Sequence, residues 1–297
     1  MYLHLFKKLL FIVLILGLPA YSFGKEEKVH YPLTNEPIDV VIVTHPRDKK
    51  TLEECIAGIK KNCKNIGRVI IVSSEKLTDQ AEWFDEKLYP FTKDDVALTI
   101  VKGDKKRMID FFYHNHRSPG WYYQQLLKLY TMFIIPGISS NVLFIDSDTI
   151  FMKPVEFLND KNGALLCINK DTTRAFPEYF AHAKRLVPGY KRIHREIYSV
   201  CHHMLFQKPI LEDLFKRVEE HHGKTFWVAF CECVNHLRNK GASEFEIYYN
   251  FALTHTDQVE LRELKWTNSG DLGKIHKYRK QGYDFVSFHT YLRKQPR

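Results

Sequence analysis

Asn141-Val-Leu-Phe-Ile-Asp-Ser-Asp-Thr-Ile-Phe-Met-Lys-Pro154 decides how the rest of the 297-residue chain is read. Four apolar residues, Val142 to Ile145, run straight into Asp146-Ser147-Asp148, and a second apolar run, Ile150 to Met152, follows before Pro154. An unbroken apolar run without alternation is the pattern of a strand buried on both faces, in the middle of an α/β sheet. Two carboxylates at the end of such a strand are costly to desolvate unless opposite charge meets them. A divalent cation is the simplest partner: carboxylate oxygens suit Mg²⁺ and Mn²⁺, hard ions that also bridge phosphates. A helix cap or an Asx turn is the plainer reading of a bare D-x-D.

Upstream, Ser118-Pro119 opens a helix over 121–135, with proline in the first turn, and Pro136-Gly137 ends it. Residues 38–45 read as a first buried strand and Pro46-Arg47-Asp48 as a turn. A helix over 51–63 starts at Thr51-Leu-Glu-Glu54, which has capping-box spacing, and 68–74 is a second strand. Strand, helix, strand in that compass is a βαβ unit and implies a parallel sheet. Residues 77–88 are predicted helical, 97–101 a third strand, and 102–117 a polar connection.

Downstream, 164–168 and 200–206 read as strands, and 210–220 and 227–237 as helices. The charged and aromatic stretch 169–198 has no clear period and reads as a loop or short-helix insert over the site. Ser243-Glu-Phe-Glu246 is a second capping box, opening a helix to about Leu253, and 284–289 is the last strand. The fold class expected is α/β: a central mixed, mostly parallel sheet flanked by helices, in one domain over 38–297, after a polar linker at 25–37.

Composition narrows the partners. The hydrophobic fraction is 44%, with 21 Phe and 16 Tyr, enough for a large core. A net charge of +9 points to an anionic partner. No dense basic run or nucleic-acid motif occurs, so nucleic acid is not expected. A nucleotide, a phosphorylated substrate or an anionic membrane surface fits equally well, and a solvated lysine-rich surface is the plainer alternative. Lys7-Lys8, the apolar run Leu9 to Leu18 and the small residues up to Gly24 form a signal peptide or signal anchor over 1–24. The apolar run is shorter than the roughly 20 residues of a membrane span. The chain is therefore expected to be exported, or anchored through that segment. Six cysteines, an even number, allow disulfides in an exported chain. Cys55 and Cys63 sit about two turns apart on one predicted helix and cannot pair there.

Five pieces, in chain order, resemble the nucleotide-sugar-dependent glycosyltransferases of the GT-A fold, and most of all a bacterial and viral D-x-D-containing group. They are Gly120-Trp-Tyr-Tyr-Gln-Gln-Leu-Leu-Lys128, Phe144-Ile-Asp-Ser-Asp-Thr149, Cys201-His-His-Met-Leu-Phe206, Ser243-Glu-Phe-Glu-Ile-Tyr248 and Ser287-Phe-His289. The resemblance implies a hexosyl- or related transferase with Mn²⁺ or Mg²⁺ on the D-x-D. Its donor would be a nucleotide diphosphate sugar and its acceptor a glycan, lipid or protein hydroxyl. Asp148 would ligate the metal, Asp146 would ligate it or hold the ribose, and His289 matches a C-terminal metal-ligand histidine. Lys128 matches a basic residue facing the phosphates, with Gln125 beside it. Thr44 and His45 match the nucleoside-contacting end of the first strand.

The acceptor-side base is open among Glu244, Glu246, His202 and His203. Glu246 has a structural task at the third helical position, whereas Glu244 has none. His202 and His203 alternate across their strand, so one of them faces a cleft. Glu244 is the expected base, kept ionised by the helix N-terminus, with His202 lining the acceptor pocket. Two competing readings remain: a metal-dependent phosphoester hydrolase, and a carbohydrate-binding protein without catalysis. A zinc site on Cys231, Cys233 and His236 lacks a fourth ligand, so buried cysteines on a helix are the favoured reading there.

Overall fold

A computed structural model describes residues 28–114, 119–172, 176–235, 240–289 and 292. The segment 1–24, and residue 236 of the zinc reading, lie outside these. Among the described residues no helix is long and apolar enough to cross a membrane.

Three consecutive strands lie parallel: β1 (Ile38–Val43), β2 (Ile66–Ser73) and β3 (Glu82–Asp85). All six residues of β1 are buried, which is why its sequence is continuously apolar but for Asp39. Helix α1 (Lys49–Asn62) crosses between β1 and β2, as the βαβ reading requires. Strand β4 (Asn141–Ile145) lies parallel to β1 on its other side, and β7 (His203–Gln207) adds antiparallel to β4. The strand order is β3-β2-β1-β4-β7, a mixed and mostly parallel sheet flanked by helices. Smaller sheets complete the body. One joins β5 (Thr149–Phe151), β10 (Phe285–Ser287) and β9 (Trp266–Asn268); the other joins β6 (Leu165–Cys167) and β8 (Glu260–Arg262).

Four local readings are corrected. Residues 77–88 are not helical: β3 and a 3-10 turn at Glu86–Leu88 occupy that stretch, because the free edge of β2 pairs it from Ile70↔Glu82 to Ser73↔Asp85. Residues 97–101 are not a strand. They belong to α2 (Lys93–Ile100), where Thr92 and Asp95 make the reciprocal capping box and Val96, Ala97 and Ile100 are buried; the short helix α3 (Lys105–Met108) follows. An apolar run that short does not separate strand from helix, and the upstream cap decided it. Thr51 is not the N-cap: α1 starts two residues earlier, after Asp48, and the Thr51 hydroxyl donates to the Asp48 carbonyl. Glu246 does not return to the Ser243 amide. Ser243 Oγ accepts from the Glu246 amide, opening α8 (Glu244–His255), but the Glu246 carboxylate goes instead to Ser199 and Asn250.

From residue 28 onward the expected linker lies on the body. Tyr31 is buried and its hydroxyl donates to Asp213 at 2.7 Å. Among its described residues the stretch 169–198 contains the α-helix α5 (Pro177–Leu186), and α6 (Lys208–His222) and α7 (Phe226–Glu232) follow β7.

Candidate functional site

The site is built where several chain segments reach one edge of the sheet. β1 and β4 run parallel with Val41 beside Phe144, so Val43, Thr44 and His45 come out alongside Asp146, Ser147 and Asp148. β7 runs the other way and delivers its start to the same edge: Ile145 pairs with His203, and the Asp146 amide donates to the His202 carbonyl at 2.9 Å. β10 pairs antiparallel with β5, and the Phe288 amide donates to the Asp148 carbonyl at 2.8 Å, which sets His289 against the D-x-D. From the helical layer, α4 (Gly120–Ile134) supplies Lys128, and Glu244 is the first residue of α8.

The charges pair in two groups. Asp146 Oδ1 is 3.0 Å from Lys128 Nζ and its Oδ2 is 3.3 Å from His202 Nδ1. Lys128 Nζ also donates to Glu244 Oε1 at 2.8 Å and lies 4.5 Å from the Phe245 ring centroid. In the second group, His289 Nδ1 is 3.2 Å from Asp148 Oδ2. The His202 and His289 rings, 4.6 Å apart, join the two groups, and Trp266 stands edge-on to His202 at 5.2 Å.

Burial sets the electrostatics. Burial alone favours a neutral Lys128, but Asp146 and Glu244 overcome it and hold the ammonium well above the usual lysine range. Burial likewise opposes an ionised Asp146, yet Lys128 and His202 keep its carboxyl well below the usual range. At Glu244 burial wins over Lys128 and raises the carboxyl. This reverses the expectation drawn from the helix N-terminus alone, because water is excluded from that end of α8.

The candidate residues are placed as follows. Lys128 is 3% exposed, with its ammonium engaged by two carboxylates rather than open to a phosphate. Gln125 is buried, and its Oε1 accepts from the Glu244 amide at 2.9 Å, satisfying one of the helix's orphan donors. Glu244 is 2% exposed and closed onto Lys128, so the role of acceptor-side base does not match its surroundings. His202 faces the site with backbone φ of 63°, in the left-handed region that non-glycine residues adopt at a cost. His203 points into the core between Phe151, Phe157 and Phe285, and burial lowers its imidazole to about 3. Thr44 is buried and its Oγ1 has no partner among the described residues. His45 is exposed, and its Nδ1 accepts from the Arg47 amide.

Sequence reasoning missed two contributors. The Lys128–Glu244 pair spans 116 residues, and no local pattern announces it. Trp266 lies in a three-residue strand too short to read.

A divalent cation can be tested against the geometry. Asp148 Oδ1 is buried and has no hydrogen-bond partner among the described residues, while Oδ2 meets an imidazole. A carboxylate oxygen and an imidazole nitrogen are ordinary ligands of Mn²⁺, and the orphaned oxygen fits that use. Among the described residues no three His, Cys, Asp or Glu side chains are gathered at ligand spacing; one oxygen of each carboxylate meets an imidazole.

A family profile described as "Family of unknown function (DUF6492)" matches residues 36–277. No curated protein sequence matches the chain. Among solved structures, mouse xyloside xylosyltransferase 1 in its apo form is similar with a TM-score of 0.41 and 13% identity, covering 87% of this chain and 100% of that one. The WbbM bifunctional glycosyltransferase, also apo, is similar with a TM-score of 0.41 and 12% identity, and the match covers 89% of this chain and 47% of that one.

Proposed function

For this chain, which belongs to the DUF6492 family, we propose the function of a metal-dependent glycosyltransferase. It moves a sugar from a nucleotide diphosphate sugar to an acceptor hydroxyl, with Mn²⁺ or Mg²⁺ at the D-x-D. The observation that carries the reading is the buried, unpartnered Asp148 Oδ1 beside His289. It lies at the carboxyl edge of a mostly parallel sheet, where open α/β folds bind their ligands. The five sequence pieces that resemble GT-A transferases support it, since all five contribute side chains to this one cluster: Lys128, Asp146 with Asp148, His202, Glu244 and His289.

Asp148 and His289 would hold the cation, while the two oxygens of Asp146 stay on Lys128 and His202. When bound, that ion supplies positive charge to the leaving diphosphate. Every other role belongs to the chain itself. Thr44 and His45, on the neighbouring strand end, contact the nucleoside. Lys128 keeps Asp146 ionised in a buried place, and Glu244, aligned by Gln125, holds Lys128. His202 is the group that takes the acceptor hydroxyl's proton. Asp146 fixes its Nδ1, and the positioned ring offers Nε2.

The test uses the full chain with Mn²⁺ and a panel of nucleotide diphosphate sugars. Release of nucleoside diphosphate, and transfer to hydroxyl acceptors, are followed by mass spectrometry. Release from one class of donor, lost with EDTA and with Asp148→Ala, is expected. No release from any donor, or release indifferent to EDTA, overturns the reading. Phosphate release from simple phosphoesters would establish the hydrolase instead.

A further inference from the structure

Outboard of Lys128, the same face of α4 continues to an aromatic wall. Trp121, Gln125 and Lys128 lie within about 60° of one another around the helix. Each holds the approach to α8. Trp121 Nε1 donates to the Ala242 carbonyl at 2.8 Å, Gln125 accepts from the Glu244 amide at 2.9 Å, and Lys128 donates to Glu244 at 2.8 Å. The first turns of α4 stand at the carboxyl edge of the sheet, because Gln124 Nε2 donates at 3.3 Å to the carbonyl of Val43, the last residue of β1. Trp121 rises past that edge, about 10 Å from Lys128 along the helix axis.

There Trp121 stacks on Tyr179 of α5, with ring centroids 6.1 Å apart and planes at 11°, and Phe176 adjoins Tyr179 at 5.3 Å. Tyr179 is buried, but Phe176 is 46% exposed. The ammonium of Lys240, an exposed residue, lies 5.2 Å from the Trp121 ring centroid. The wall leans toward α5 and α8. The Gln207 amide ties α8 to β7, the strand that follows His202, by donating to the Tyr248 hydroxyl at 2.9 Å. Thr44 and His45 emerge from β1, on the other side of β4. The wall therefore stands on the side of His202, away from the nucleoside end. An exposed ring offers an apolar face to the C–H face of a sugar, and an ammonium beside it takes up a carboxylate or phosphate. Glu178, next to Tyr179, belongs to the first turn of α5, where the helix N-terminus offsets its charge. The net charge of +9 favours an anionic occupant.

We propose that Phe176 and Lys240 form the outer acceptor subsite, and that the acceptor is an acidic glycan. One sugar ring packs on Phe176, its anionic group meets Lys240, and the rest of the glycan leads inward to His202. Trp121 is a positioning residue that holds the ammonium in place. This rests on the glycosyl-transfer reading and extends it to the class of acceptor.

Binding to the full chain is measured apart from transfer, by isothermal titration and tryptophan fluorescence. The probes are tetragalacturonate, which carries carboxylates, phosphopentamannose, which carries a phosphate, and neutral maltotetraose. Expected is saturable binding of a charged probe that weakens as salt is raised, with maltotetraose weaker by about tenfold or more. The charged probe that binds more tightly decides between carboxylate and phosphate. Lys240→Gln and Phe176→Ala should each weaken binding about tenfold with Tm unchanged, since both residues are exposed. Binding of neither charged probe, equally tight binding of maltotetraose, or binding indifferent to both variants overturns the proposal. A donor cleaved in Mn²⁺ with neither charged probe bound sinks the acceptor class and leaves glycosyl transfer standing. A charged probe bound as described with no donor cleaved leaves the glycan site standing and sinks transfer.

Discussion

Replacing Lys128 with methionine removes the only cation that Glu244 contacts among the described residues and leaves two carboxylates, Asp146 and Glu244, in a buried place. Methionine has similar length and no charge, so packing is largely kept. Removing one partner of a buried pair generally costs about 3–5 kcal/mol. Here the cost has a ceiling, because Glu244 can take up a proton instead of staying charged. Holding a carboxyl of ordinary pKa neutral at pH 7 costs about 4 kcal/mol, and at pH 5 about 1 kcal/mol. The sign follows: in the variant the folded-state pKa of Glu244 lies above its unfolded value, so stability is lost as pH rises. Urea unfolding of wild type and Lys128→Met at both pH values measures this directly. Expected are a loss of about 4 kcal/mol at pH 7 shrinking to about 1 at pH 5. The double variant Lys128→Met/Glu244→Gln should recover most of the loss at pH 7. A loss that is the same at both pH values, or under about 1 kcal/mol at pH 7, would refute the reasoning.

Other outcomes are expected. His202→Ala should reduce turnover by about 10²-fold while nucleotide binding survives, checked by kcat against donor affinity. Unchanged turnover removes His202 as the base. Burial lowers His182 to about 4, so the unfolded chain binds the extra proton and stability falls as pH drops from about 6.5 towards 4. His182→Gln should flatten that slope by up to about 3 kcal/mol in pH-stepped urea melts. Gly163→Ala places a Cβ on the Gln258 carbonyl, and soluble yield and Tm should both fall, by the equivalent of about 3 kcal/mol or more.

The parts legible in the sequence were those with strong local pattern. Ile38–Val43, apolar but for Asp39, and Asn141–Ile145, apolar after Asn141, are buried central strands, and Asp146 and Asp148 stand where the second run stops. Ser243 announced the start of α8 through its cap. The alternation of His202 and His203 foretold that one faces the site, and the left-handed turn at His202 turns it toward Asp146. Long-range charge was not legible. Lys128 looked like a phosphate ligand because its neighbours along α4 said nothing of Glu244, which folding brings to 2.8 Å. Glu244 looked like an ionised base for the same reason: the helix N-terminus is visible in sequence, but the exclusion of water that outweighs it is not. Residues 77–88 and 97–101 were misread because their apolar residues are too few to fix a period, so strand pairing and a cap decided them.

The central claim is that Asp148 and His289 hold a cation that seats a nucleotide diphosphate sugar. Isothermal titration of nucleoside diphosphates into the full chain, with Mn²⁺ and with EDTA, tests it most directly. The claim requires binding that appears with Mn²⁺, disappears with EDTA, and is lost in Asp148→Ala and weakened in His289→Ala while all variants stay folded. Binding of equal strength with and without Mn²⁺, or Mn²⁺-dependent binding that survives Asp148→Ala intact, contradicts it.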